Sequence, residues 1–122
     1  LVDEARQHEL LRHLEGHLCH ASRAGGGSAA NSIIAAQYFG AKTFYSCKVA
    51  ADENGRFYLG DLASAGVAFP ADAGSAEGIT GKCLVMITPD AERTMNTFLG
   101  ISATLSTDEI DEEALKASKY VY

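Results

Sequence analysis

The feature that most constrains this sequence is a helix–strand alternation that stops at a proline. Behind Asp3, a residue able to cap a first turn, Leu10, Leu11, Leu14 and Leu18 recur at helical spacing, while Arg6, Glu9, Arg12 and Glu15 supply a polar face. A glycine-rich break follows, then a second helix expected over 29–39. Ser28 stands at its N-cap position and Gly40 just past its end. Its alanines 29, 30, 35 and 36 suit close packing on a sheet. The β-branched and aromatic run 43–49 reads as a strand. Asp52 then caps a third helix running through Tyr58, Leu59 and Leu62 to Gly66, and 67–69 is a short second strand. Alternation of this kind needs crossover connections and predicts a parallel sheet with flanking helices.

After Pro70 the pattern changes. Residues 71–78 are a small-residue loop, and 82–88 and 93–99 are two extended runs separated by Pro89-Asp90-Ala91-Glu92, with Pro89 at the second position of a turn. This is a β-hairpin, and an excursion of two strands from a parallel sheet is read as a flap or lid. Residues 107–118 return to helix, with Asp108, Glu109, Asp111, Glu112 and Glu113 early in it, where the helix dipole favours acidic groups. Tyr120-Val121-Tyr122 begins a further strand. The expected fold class is α/β: a Rossmann-like parallel sheet with flanking helices plus a β-hairpin lid. Residues 1–122 form one partial domain, with lid strands at about 79–100. A helix without a strand before it and a strand without continuation are poor termini for such a domain, so a fragment of a longer protein is expected.

Composition narrows the function classes. The 122 residues suffice for one domain, and ten Lys plus Arg against sixteen Asp plus Glu give a net charge of −6. That balance argues against a broad phosphate-backbone-binding surface, hence against nucleic acid as a partner. No apolar run approaches the roughly 20 residues of a membrane span. Three cysteines outside any CxxC pattern, with no signal-peptide pattern at Leu1, fit a reducing, cytoplasmic setting.

Three clusters invite chemistry. Gly25-x-Gly27-x-x-Ala30 formally matches a relaxed dinucleotide fingerprint, but that motif needs a strand immediately before it, and 18–23 does not read as one. The competing reading is a tight loop feeding a helix. His13, His17 and His20 with Cys19 raise a metal site, yet no zincin-type Glu stands beside the first His and no second ligand pair has matching spacing, which favours a solvated helix face. Cys19, Cys47 and Cys83 lack an oriented His and are expected to be buried small apolar residues.

The order of parts carries more than any one motif. GGGSAANSIIAAQYFG, then a strand, then CKVAADENGRFYLGDLASAGV, then GITGKCLVMITPDAERTMNTFLG resembles the N-terminal portion of the ribokinase-like (pfkB family) carbohydrate and nucleoside kinases. The resemblance runs over the whole chain. Its most specific parts are Gly26-Gly27-x-x-x-Asn31 ahead of a helix ended by Gly40, Val49-x-x-Asp52-x-x-Gly55, and Thr80-Gly81 entering the hairpin. AADENG and ITPDAERTMNTFLG resemble the adenosine-kinase-like sugar kinases more than ribokinase proper.

The resemblance implies ATP-dependent phosphorylation of a hydroxymethyl group on a sugar or nucleoside, with magnesium. Gly26 and Gly27 match a di-glycine where the lid hinges and backbone approaches substrate. Asn31 matches an amide that bonds substrate hydroxyls, and Ser28 sits where some members place a contacting side chain. The hairpin matches the lid, with Cys83, Val85 and Thr97 facing substrate; a homodimer through the lid is a further possibility. Ala50 stands where many members have a glycine. The family's first-strand aspartate, Gly-Ala-Gly-Asp catalytic loop and ATP site match nothing between Leu1 and Tyr122, so no catalytic residue and no ATP or magnesium ligand is assigned, and the chain alone is expected to be inactive. The competing reading is a non-catalytic α/β interaction module that pairs with a partner through its hairpin.

Overall fold

The computed structural model describes residues 1–17 and 22–122. Helices α1 (Glu4–Leu14), α2 (Ser28–Tyr38) and α3 (Glu53–Ser64) precede an antiparallel hairpin of β1 (Thr80–Ile87) and β2 (Arg93–Gly100). Two 3-10 turns, Ile101–Thr104 and Thr107–Glu109, then lead to α4 (Glu112–Ala117).

The parallel arrangement survives in reduced form. Segments 43–51 and 67–76 run side by side: Ala68 N–H donates to Thr43 O, Tyr45 to Ala68, Val49 to Ala73 and Ala51 to Ala76, at 2.8–3.2 Å. Phe44 and Ala68, and Ala50 and Ala76, form isolated parallel bridges. The strands expected at 43–49 and 67–69 are therefore not continuous ladders. Pro70 has no N–H to give, and the chain after it coils locally, with Ala73 N–H on Pro70 O and Ser75 N–H on Asp72 O. Ala30, Cys47, Leu62, Val67 and Ala73 form the buried cluster here, packed by Ile33, Ile34, Tyr45, Tyr58, Leu59 and Phe69. Burial pushes the Cys47 thiol up to about 11, so it acts as a small apolar side chain.

Helix ends follow side-chain chemistry with one correction. Asp3 and Asp52 cap α1 and α3 through their carboxylates, accepting from Arg6 N–H and Gly55 N–H. The N-cap of α2, however, is Gly27 and not Ser28, which is the first helical residue. Gly27 has φ 101°, a conformation that costs a side chain energy but glycine nothing, so the break falls there. The single helix expected over 107–118 is divided. Ser106 and Glu109 form a capping box on the 3-10 turn, and Asp111 caps α4 by accepting from Ala114 N–H, which leaves Ile110 extended between them. Tyr120, Val121 and Tyr122 are exposed and in no strand.

The hairpin turns as expected, with Ala91 N–H donating to Thr88 O around Pro89. One of its faces meets α1. There the buried residue is Gln7, 1% exposed, whereas Leu11 of the expected apolar stripe is exposed and Leu18 lies outside the described residues. The Gln7 amide donates to the carbonyls of Lys82 and Asn96, 3.3 Å each, and Val2 N–H donates to Thr97 O. An amide fits where the helix crosses strand carbonyls, which a leucine could not satisfy.

Candidate functional site

Two of the three motifs meet at one junction, and the glycine loop docks on the helix beside it. The Asp52 carboxylate accepts from Gly55 N–H at 2.7 Å within its own helix, and from Thr80 Oγ1 at 2.6 Å and Thr80 N–H at 2.9 Å at the start of β1. Thr80 Oγ1 in turn accepts from Ala50 N–H at 2.9 Å. One buried hydroxyl thus acts as donor and acceptor at once, and leucine or valine could do neither. Gly55 is where the helix passes the preceding strand: a Cβ there would lie 2.1 Å from Ala50 O. Burial pushes the Asp52 carboxyl up, but the donors from Thr80 and Gly55 and the nearby Arg56 charge outweigh it and hold the group below its usual value.

The glycine loop lies against α3. Tyr58 donates its hydroxyl to Gly26 O at 3.3 Å, and a Cβ at Gly25 would clash with the Asp61 carboxylate. Burial and the Tyr45 hydroxyl raise the Tyr58 pKa, so it stays a neutral donor. Arg23 pairs with Glu53 at 2.9 Å and sits 5.2 Å from the Phe57 ring centre. Gly26, Gly27, Ser28 and Asn31 are all exposed, with Asn31 in the first turn of α2, its N–H on Gly27 O. Its carboxamide is free of protein partners among the described residues, and offers both a donor and an acceptor.

On the hairpin, Cys83, Val85 and Ile87 share the face turned away from α1, and all three are exposed. Cys83 pairs across the strands with Thr97, whose Oγ1 lies 3.2 Å from its sulfur, and Val85 pairs with Met95. The expectation of buried cysteines therefore fails for Cys83: alternation puts it on the uncovered face. Cys83, Val85 and Thr97 are brought together, as are Gly26, Gly27, Ser28 and Asn31. No hydrogen bond joins the two groups among the described residues. Cys19 and His20 of the metal reading fall outside the described residues; among those described, no three His, Cys, Asp or Glu side chains are placed to hold a metal ion.

The return leg of the hairpin is tied to the same stretch as the outgoing one. Lys48 O accepts from Ser102 Oγ at 3.2 Å, and Lys48 Nζ bonds Thr104 O and the Glu109 carboxylate. Lys48 and the Ser106 donors hold Glu109 down at about 2. Sequence reasoning recognised Asp52 as a cap and Thr80 as a motif residue, but missed that they bond each other 28 positions apart. The only signal available was that a cap and a hydroxyl both sat within motifs of one ordered set.

The chain resembles solved structures closely. Adenosine kinase from Sinorhizobium meliloti superposes with a TM-score of 0.82 at 28% identity, over 97% of this chain and 35% of that one. A probable sugar kinase from Rhizobium etli CFN 42 gives 0.79 at 29% identity, over 93% and 33%. The chain thus spans about a third of the length of either structure. No curated protein matches it significantly. Residues 7–122 match the family described as pfkB family carbohydrate kinase, a span that includes the glycine loop, the Asp52–Thr80 junction and the hairpin. With a ribokinase-like α/β architecture common to it and these neighbours, the chain belongs to the pfkB family of carbohydrate kinases.

Proposed function

We propose that this chain forms the substrate-binding part of an ATP-dependent kinase that phosphorylates a hydroxymethyl group of a sugar or nucleoside. The observation that supports it is the exposed Asn31 amide at the start of α2, beside a glycine loop whose backbone a small polyhydroxy ligand can approach. A sugar presents hydroxyls that both donate and accept, and a carboxamide meets both. Gly26, Gly27 and Ser28 line the same approach, and the hairpin face with Cys83, Val85 and Thr97 serves as a lid that excludes water, the competing phosphoryl acceptor. ATP is the donor in this reading and magnesium its counter-ion; both are held by residues outside this chain, so no step through them is derived from it.

Isothermal titration of the intact enzyme against a panel of sugars and nucleosides tests the reading. One class is expected to bind, and Asn31→Ala is expected to weaken it by ~1–3 kcal/mol. Absence of binding across the panel, with turnover unaffected by Asn31→Ala, would remove the proposal.

A further inference from the structure

We infer that Asp52 and Thr80 are positioning residues: together they form the pin about which the hairpin pivots, and so set the pose of its exposed face without themselves touching substrate. The kinetic consequence rests on the kinase reading above; the mechanical one does not.

Both legs of the hairpin are fastened to one five-residue stretch, 48–52. The outgoing leg is held at Thr80 by Ala50 N–H and the Asp52 carboxylate. The return leg passes Gly100, the register partner of Thr80, and is held by Ile101 N–H on Ile79 O and by Ser102 Oγ on Lys48 O. Beyond this line the hairpin projects, and Val85, Ile87 and Met95 are 45–69% exposed. Two legs fastened to 48–52 at one end, α1 and Val2 bonded along one face at Lys82, Asn96 and Thr97, and a tip left uncovered describe a lever. At about 3.3 Å per residue, β1 extends roughly 23 Å from Thr80 and Val85 sits roughly 16 Å out. A ~10° error at the pin therefore displaces Val85 by about 3 Å. That is the difference between a hydrogen-bonded or packed contact and none.

The Thr80 hydroxyl also makes the pin directional. It accepts from one segment and donates to the other, so its removal leaves Ala50 N–H without a partner and takes one of two donors from an Asp52 oxygen that keeps Gly55 N–H. Serine preserves both bonds; valine preserves the shape and neither bond.

Hydrogen exchange and steady-state kinetics on the intact enzyme test this with Thr80→Val, Thr80→Ser and Asp52→Asn. In Thr80→Val, faster exchange at Ala50 and at hairpin amides is expected while the α3 amides keep their protection. The KM for the phosphoryl acceptor is expected to rise about tenfold with the KM for ATP unchanged, and Thr80→Ser to restore both readouts. Asp52→Asn is expected to act in the same sense, which keeps the test decisive if the valine variant fails to fold. Unchanged hairpin exchange in the variants overturns the pin. So does a lowered melting temperature with an unchanged acceptor KM, the mark of a merely structural pair. If the wild-type enzyme phosphorylates no sugar or nucleoside, the kinase reading fails instead, and the exchange data alone decide the pin.

Discussion

The region around α2 and α3 and the region around the hairpin are held together by different physics. In the first, Leu62, Val67, Ala30, Cys47 and Ala73 are at least 93% buried and pack on aromatic and aliphatic neighbours, so apolar burial supplies its cohesion. The second buries two polar residues, Gln7 and Thr80, and leaves Val85, Ile87, Met95 and Leu99 exposed. It is held by strand pairing, by an amide on two carbonyls, and by a carboxylate and a hydroxyl at its base. Hydrogen bonds are directional and individually modest, whereas apolar burial is neither directional nor easily undone by rotation. The first region is thus held by non-directional packing, and the second by directional bonds that specify one pose.

Changes directed at each region should break this contrast in different ways. The largest effect is expected from Leu62→Ala, which empties the centre of the first region: a loss of ~2–5 kcal/mol in chemical denaturation, with all amides of α2 and α3 exchanging faster. A loss below 1 kcal/mol would mean the cluster is not the foundation. Gln7→Ala should cost less, ~1–3 kcal/mol, because it removes two hydrogen bonds and little apolar area. Its effect should be confined to exchange in β1, β2 and α1. Spread of that effect into α3 would erase the distinction between the regions.

The smallest effect is a pH dependence at the boundary. The Asp52 carboxyl titrates below its ordinary 3.8 in the folded chain, so folding favours its ionised form. The stability this contributes is fully present above the unfolded value and is lost as pH falls through the folded one. Wild-type protein should therefore lose hairpin protection below about pH 4 more steeply than Asp52→Asn, as followed by hydrogen exchange across pH. Parallel pH curves for the two proteins would place the acid-sensitive group elsewhere, with Glu109 the next candidate.

Much of this was legible in the residues. Asp3 and Asp52 announced two helix starts, Gly40 and Gly66 two helix ends at φ 90° and 83°, and Pro89 the hairpin turn, because each acts through its own backbone or its nearest turn. Alternation likewise put Cys83 and Val85 on one strand face, and pairing brought Thr97 opposite. Readings that needed distant information fared worse. The leucine stripe of α1 implied a buried apolar face, but Leu10 and Leu14 are only half-buried, Leu11 is exposed, and the residue buried against the strand carbonyls is Gln7. The acidic run from Asp108 read as one helix because the dipole argument is blind to Asp111 preferring to start a new one. The β-rich run 43–49 could not reveal that Pro70 would interrupt its neighbour's ladder.

By itself, the sequence determined where the chain turns, caps and alternates, and in their order the glycine loop, Asp52-x-x-Gly55 and Thr80-Gly81 identified the family. That the last two of these form one junction, with the glycine loop docked on α3 beside it, was decided by the tertiary structure. A cap, a hydroxyl and a backbone amide separated by up to 30 positions become a single hydrogen-bonded unit when the crossover brings β1 back to the start of α3. Local propensity acts over a few residues, while the partner of a carboxylate's second oxygen is chosen by the path of the whole chain.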